Sequence, residues 1–146
     1  MARELHEITI AEANRAFAAR KLSPVELTQA YLARIAALDS TLNSYLLVTA
    51  DRALAEAAEA ETQIMRDGPR GPMHGIPYGL KDIYETAGLR TTAHSKLLAD
   101  NVPLEDCTAQ KKLRAAGAVL LGKQATWEFA LGGPSFDFPP IRLGLQ

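Results

Sequence analysis

The chain has a single cysteine, Cys107, in 146 residues, so it cannot form an internal disulfide. Its opening residues, Met1-Ala2-Arg3-Glu4-Leu5-His6-Glu7, lack the apolar core of a secretory signal. No apolar run approaches the roughly 20 residues that a membrane-crossing helix needs. Together these absences predict a reducing, cytoplasmic setting and no membrane partner. Neither sign of charge is in excess: 16 basic residues against 17 acidic ones leave a net charge of -1, which gives no field to attract nucleic acid. The three histidines, His6, His74 and His94, lack the close spacing of a metal cluster, so no metal is expected. The glycines before Lys81 follow neither the phosphate-loop nor the dinucleotide pattern, so nucleotide binding has little support. Aromatics are scarce at 6%, and Trp127 with Phe129 reads as core rather than as a ligand platform. Cys107 reads as a small buried hydrophobe, because nothing in the sequence supplies the base that a catalytic thiol needs.

What is present is 47% hydrophobic residues, enough for one globular core. Thr9 and Glu12 have capping-box spacing ahead of Ile10, Ala13 and Phe17. Ser23, Pro24 and Glu26 repeat the signal, and Leu27, Tyr31, Ile35 and Leu38 make one apolar helix face. A third helix is predicted from about residue 51 to 66, with Leu54, Ala57, Ala58, Glu61, Ile64 and Met65 largely on one side, stopped by Asp67-Gly68-Pro69. Glycine and proline then recur to residue 79, which excludes helix. Residues 76–83 are predicted as a strand, with residues 89–93 as a further extended segment. A helix over residues 108–116 stops at Gly117 and leads into Ala118-Val119-Leu120-Leu121, an all-apolar run suited to a strand covered on both faces. Strand, helix and buried strand form a βαβ-like unit, so the expected class is α/β: N-terminal helices followed by the first strands and helix of a mixed sheet.

Lys81 closes the first of these strands. A lysine partly desolvated at a strand end can be pushed towards neutrality and serve as a base, whereas the ordinary lysine keeps its ammonium in water. Spacing alone favours the solvated reading. His74 is best explained as part of the loop before Lys81, and no function attaches to His94.

The stretch Gly71-Pro72-Met73-His74-Gly75-Ile76-Pro77-Tyr78-Gly79-Leu80-Lys81-Asp82 resembles the segment of amidase-signature enzymes that delivers their catalytic lysine. Co-linear similarities follow at Thr86-Ala87-Gly88, Thr91-Thr92-Ala93, Asp106 with Thr108, Leu113-Arg114, residues 116–123, Glu128-Phe129-Ala130 and Gly132-Gly133, and they cover most of residues 8–135. The resemblance implies the amidase-signature fold and a hydrolase of carboxylic amides without cofactor. In that chemistry a serine nucleophile, a second serine in a cis peptide linkage and the lysine relay a proton, because a serine hydroxyl needs a base at neutral pH. Backbone N–H groups of a glycine- and serine-rich loop would hold the oxyanion.

Lys81 would be the base, and a small amide the substrate of a full-length relative. The similar alternative is the glutaminase-type subunit of a transfer-RNA-dependent amidotransferase, which would need partner subunits. A third is a non-catalytic fragment or binding module. Both relay serines are expected downstream of Gly132-Gly133, and Ser23, Ser40, Ser44, Ser95 and Ser135 have no nucleophile context. Residues 1–135 are therefore expected to be the N-terminal part of an amidase domain, and residues 136–146 a divergent tail left by truncation or a frameshift. Such a chain is expected to be inactive alone and to self-associate through exposed sheet edges.

Overall fold

Two reciprocal caps start the first helices of the computed structural model, which describes residues 4–132. Glu12 N–H donates to Thr9 Oγ1 at 3.2 Å while Thr9 N–H donates back to Glu12 Oε2 at 2.6 Å, opening α1 (Ile10–Ala18). Ser23 and Glu26 repeat the exchange at 3.1 and 2.8 Å for α2 (Pro24–Leu42), which has proline in its first turn. Each cap satisfies helix donors that have no partner within the helix. Asn43 ends α2 in the left-handed region, φ 52°. The Asp39 carboxylate then accepts from Ser44 N–H at 2.7 Å and Tyr45 N–H at 3.2 Å, turning the chain into β1 (Tyr45–Val48). α3 (Ala50–Asp67), β2 (Pro77–Lys81), α4 (Thr108–Ala115) and β3 (Val119–Gln124) follow.

The sheet has the order β1-β3-β2. β3 is the central strand, parallel to β2 and antiparallel to β1, so the sheet is mixed and β2-α4-β3 is the expected βαβ unit. The register sets Pro77 opposite Val119 and Lys81 opposite Gln124. Residues Val119 to Lys123 are all buried, as a strand covered on both faces requires. One core cluster joins Ala13, Phe17 and Leu27 to Ile64 and Ile76, and a second packs Ala53 and Ala57 against Val119 and Leu121. Full burial of a side chain the size of Phe17 contributes about 1.5–3 kcal/mol.

Several sequence expectations need correction. The buried face of α3 is Ala53, Ala57, Ala60 and Ile64, while Ala58 and Met65 are exposed. In an alanine-rich helix two adjacent faces are nearly equally apolar, and packing against β3 chooses between them. Residues 89–93 join no sheet: Leu89 N–H returns to Thr86 O and Thr91 N–H goes to Asn101 O, so their hydrogen bonds close loops. Trp127 and Phe129 are 51% and 46% exposed rather than core. Cys107 is half-buried at the start of α4, where its N–H donates to Glu85 O. Residues 133–146, including Ser135 and the expected divergent tail, lie outside the described residues. Among the described residues no helix is long and apolar enough to cross a membrane.

β1 and β3 approach closely at Gly122, where an added Cβ would lie 2.2 Å from the Leu47 carbonyl oxygen. The obstacle is backbone of the partner strand, which cannot rotate aside. Gly122→Ala should therefore lower stability by about 1–3 kcal/mol, the usual range for overpacking. Urea denaturation of the two chains measures it, and an unchanged midpoint would show that the strands separate freely.

Candidate active site

The approach to β2 is fixed before the strand begins. Gly75 donates to Gly117 O at 2.8 Å and holds φ 77°, and a Cβ there would sit 2.7 Å from Pro24 Cγ. His74 is buried; its Nδ1 accepts from Arg70 N–H at 3.2 Å, which leaves the proton on Nε2, 3.1 Å from Gln63 Oε1. Burial, reinforced by the Arg70 charge, lowers the pKa of this ring. His74 thus braces the loop, as its place in the sequence implied. On β2 itself the Tyr78 hydroxyl donates to Gln110 Oε1 of α4 at 2.6 Å; burial pushes its pKa up to about 12, against the opposing effect of that hydrogen bond.

Lys81, the last residue of β2, is exposed, and its Nζ donates to Ala125 O at 2.6 Å across the sheet. A pocket of about 200 Å³ lies here, lined by Lys81, Thr126, Trp127 and Ala130. Two segments in left-handed conformation meet beside it: Ala93 and His94 at φ 50° and 56°, and Phe129 and Ala130 at 48° and 58°. Phe129 N–H donates to Ala93 O at 2.9 Å, and His94 Nδ1 contacts Thr126 O. Left-handed backbone is costly for residues with a Cβ and persists where surrounding contacts impose it.

Beneath Lys81 lies a charged pair that sequence reasoning missed. Asp82 and Lys123 are 1% and 0% exposed, with Asp82 Oδ1 3.3 Å from Lys123 Nζ, an ion-pair separation without hydrogen-bond geometry. Asp82 Oδ2 accepts from Thr92 N–H at 2.8 Å and from the Thr92 hydroxyl at 2.6 Å. Lys123 Nζ donates to Tyr84 O at 2.8 Å and to Thr91 Oγ1 at 2.6 Å. Burial pushes the Lys123 pKa down, and Asp82 opposes the shift. The available signal was a lysine continuing an otherwise apolar strand, two residues after Leu121.

The described serines serve elsewhere. Ser23 caps α2, Ser44 donates to Asp39, and Ser95 is buried with its hydroxyl accepting from Leu97 N–H. Ser40 is exposed on α2. Among the described residues no group of His, Cys, Asp and Glu is placed to hold a metal ion.

The model of the Amidase family matches residues 26–135. This chain belongs to the amidase family. In Geobacter metallireducens the A subunit of glutamyl-tRNA(Gln) amidotransferase is 48% identical over 141 residues, an alignment covering 95% of this chain and 29% of that protein. The native peptide amidase of Stenotrophomonas maltophilia shares its fold with a TM-score of 0.78 at 41% identity, over 84% of this chain and 26% of the other. An amidase family protein from Bacillus anthracis gives a TM-score of 0.78 at 33% identity, over 86% and 25%. The chain therefore spans between a quarter and a third of the length of these relatives.

The depressed His74 pKa makes stability depend on pH. Its ordinary value is 6.5, so below that pH the unfolded chain takes up the proton more readily than the folded one. The His74 contribution is complete above about pH 6.5 and is lost as the pH falls towards the folded-state value. His74→Gln should flatten the decline in melting temperature below that pH, whereas an equal decline in both chains would assign the effect to other groups.

Proposed function

We propose that this chain carries the lysine end of an amide-hydrolysing site. The observation that carries the proposal is the hydrogen bond from Lys81 Nζ to Ala125 O, at the mouth of the pocket beside Thr126 and Trp127. The relay requires a nitrogen that can take up and return a proton while one of its N–H bonds is spent on that carbonyl. The nucleophilic serine and the second serine are expected from the part of the amidase domain that the longer relatives have and this chain does not span.

In that assembled site the second serine hands its proton to Lys81 Nζ and takes up the proton of the nucleophile, whose Oγ attacks the amide carbonyl. Backbone donors hold the oxyanion. Collapse breaks the C–N bond, the proton on Lys81 returns through the relay to the departing nitrogen, and water then releases the acid from the acyl-serine. No step calls on a metal or an organic cofactor.

A second reading rests on the 48% identity to the glutamyl-tRNA(Gln) amidotransferase protein of G. metallireducens. On that reading the amide is that of glutamine and the complete protein works beside other subunits. Both readings keep the cytoplasmic setting and give Lys81 the same task.

In a full-length amidase of the family, replacing by alanine the lysine equivalent to Lys81 should lower kcat by about 10²–10⁴, the range for losing a general base. A rate near that of the parent enzyme would reject the assignment. The 146-residue chain alone should release no ammonia from simple amides or glutamine, and robust turnover would show that it holds its own nucleophile.

The sheet supplies a further expectation. β1 and β2 are its two outer strands, and Leu97, Leu104 and Leu131 are 84%, 94% and 78% exposed. Exposed strand edges and apolar side chains promote association. Sedimentation of the purified chain should show mass rising with concentration, and a monodisperse monomer would contradict it.

A further inference from the structure

The Asp82–Lys123 pair takes part in none of the proton transfers proposed above, yet it lies directly behind the residue that does. Lys81 and Asp82 are consecutive, and neighbouring residues of an extended chain point to opposite sides. Lys81 is exposed beside the pocket, while Asp82 is buried against Lys123. On the opposing strand, Lys123 precedes by two residues the carbonyl that Lys81 holds. Asp82 N–H donates to Gln124 O at 2.9 Å, closing the short path between the two contacts.

We infer that Asp82 and Lys123 are positioning residues that fix the place of Lys81 against Ala125. This inference rests on reading Lys81 as the base. The pair is suited to the task because its contacts are directional. A well-packed apolar pair would stabilise a sheet as well or better, because two charges lose their hydration on burial. Such a pair would not dictate the direction in which the chain leaves β2. Here Asp82 binds both the N–H and the hydroxyl of Thr92, while Lys123 binds Tyr84 O and the hydroxyl of Thr91. Ala93 N–H returns to Asp82 O at 2.9 Å, and Ala93 O takes Phe129 N–H at 2.9 Å. The segment after Lys81 and the segment after Ala125 are therefore tied through one buried centre. A displacement of that centre moves both ends of the Lys81–Ala125 bond.

The test uses the 146-residue chain and needs no amide turnover. Asp82→Asn with Lys123→Met removes both charges while keeping similar volumes and the acceptor for Thr92. Acylation of Lys81 by dilute acetic anhydride, read by mass spectrometry relative to exposed Lys21, reports whether Lys81 has left Ala125. Amide exchange at Ala57 and Ala60 of α3 reports whether the fold persists. With those amides still protected, Lys81 acylation should rise about threefold or more, and exchange at Asp82 and Ala93 about tenfold or more, as expected for a local opening. Unchanged Lys81 acylation in the folded double variant would overturn the inference, since a pair that only stabilised the fold would leave Lys81 in place.

If the α3 amides lose protection, Thr91→Val removes a single Lys123 contact and becomes the deciding variant. A rise in Lys81 acylation of about twofold or more supports the inference, and no rise overturns it. Failure of the base assignment would appear separately, as retained turnover when the lysine equivalent to Lys81 is replaced in a full-length amidase of the family.

Discussion

Lys123 is fully buried, so its charge has to be met inside the protein. Asp82 and the oxygens of Tyr84 and Thr91 meet it, and Thr92 satisfies the other side of the carboxylate. Removing one member of such a pair typically costs about 3–5 kcal/mol, because the survivor is left buried and uncompensated. That cost makes the arrangement close to all-or-none. Residues 82–95 form no helix or strand and join neither hydrophobic cluster, and Asp82, Thr91 and Thr92 tie them to this polar centre. From it follow the Ala93–Asp82 hydrogen bond, the left-handed pair Ala93-His94, and the contact that brings Phe129 back against Ala93. The surroundings of Lys81 are held by buried polar contacts rather than by a hydrophobic cluster.

The apolar part of the fold has a different logic. α3 presents Ala53, Ala57 and Ala60 to the interior, and these short side chains let the helix lie close to β3. Glu56 uses that closeness: its Oε2 accepts from Leu120 N–H at 2.9 Å, and its Oε1 pairs with Arg52 at 2.8 Å. Leu120 N–H would otherwise be an unpaired donor in a buried strand, a penalty of about 1–3 kcal/mol. Alanine at the contact and glutamate one turn away therefore act together. The helix packs tightly because its core face is small, and the tight packing carries a carboxylate to the strand.

Most of this architecture was legible where local chemistry is unambiguous. Thr9 with Glu12 and Ser23 with Glu26 announced two helix starts, Gly68-Pro69 and Gly117 announced two stops, and the apolar run to Leu121 announced a buried strand. β1 was not legible. Tyr45-Leu46-Leu47-Val48 has no period-two alternation, and its start depends on Asp39 turning the backbone from six residues away. Residues 89–93 carry threonines that favour a strand, but Thr91 and Thr92 spend their hydroxyls on Lys123 and Asp82 instead. Trp127 and Phe129 were misplaced because aromatic character records a preference for burial, and only the surrounding fold decides whether anything covers them. Lys81 was singled out by its motif, whereas Asp82 and Lys123 become conspicuous only when β2 and β3 are set side by side.

The parallel pairing of β2 and β3 explains why the site forms where it does. Both strands run in the same direction, so Lys81 and Gln124 end them at one edge of the sheet, and Ala125 and Thr126 continue beyond it. In open α/β sheets ligands bind outside the carboxyl ends of the strands. Here the pocket is floored by the Lys81–Ala125 bond and walled by Trp127 and Ala130. On the proposed reading the base stands on a strand end, which places a rigid element under the group whose position governs proton transfer. The proposed reading and the buried pair meet in the chain itself: Asp82 follows Lys81 directly, and its contacts with Thr92 and Lys123 direct the backbone as it leaves β2.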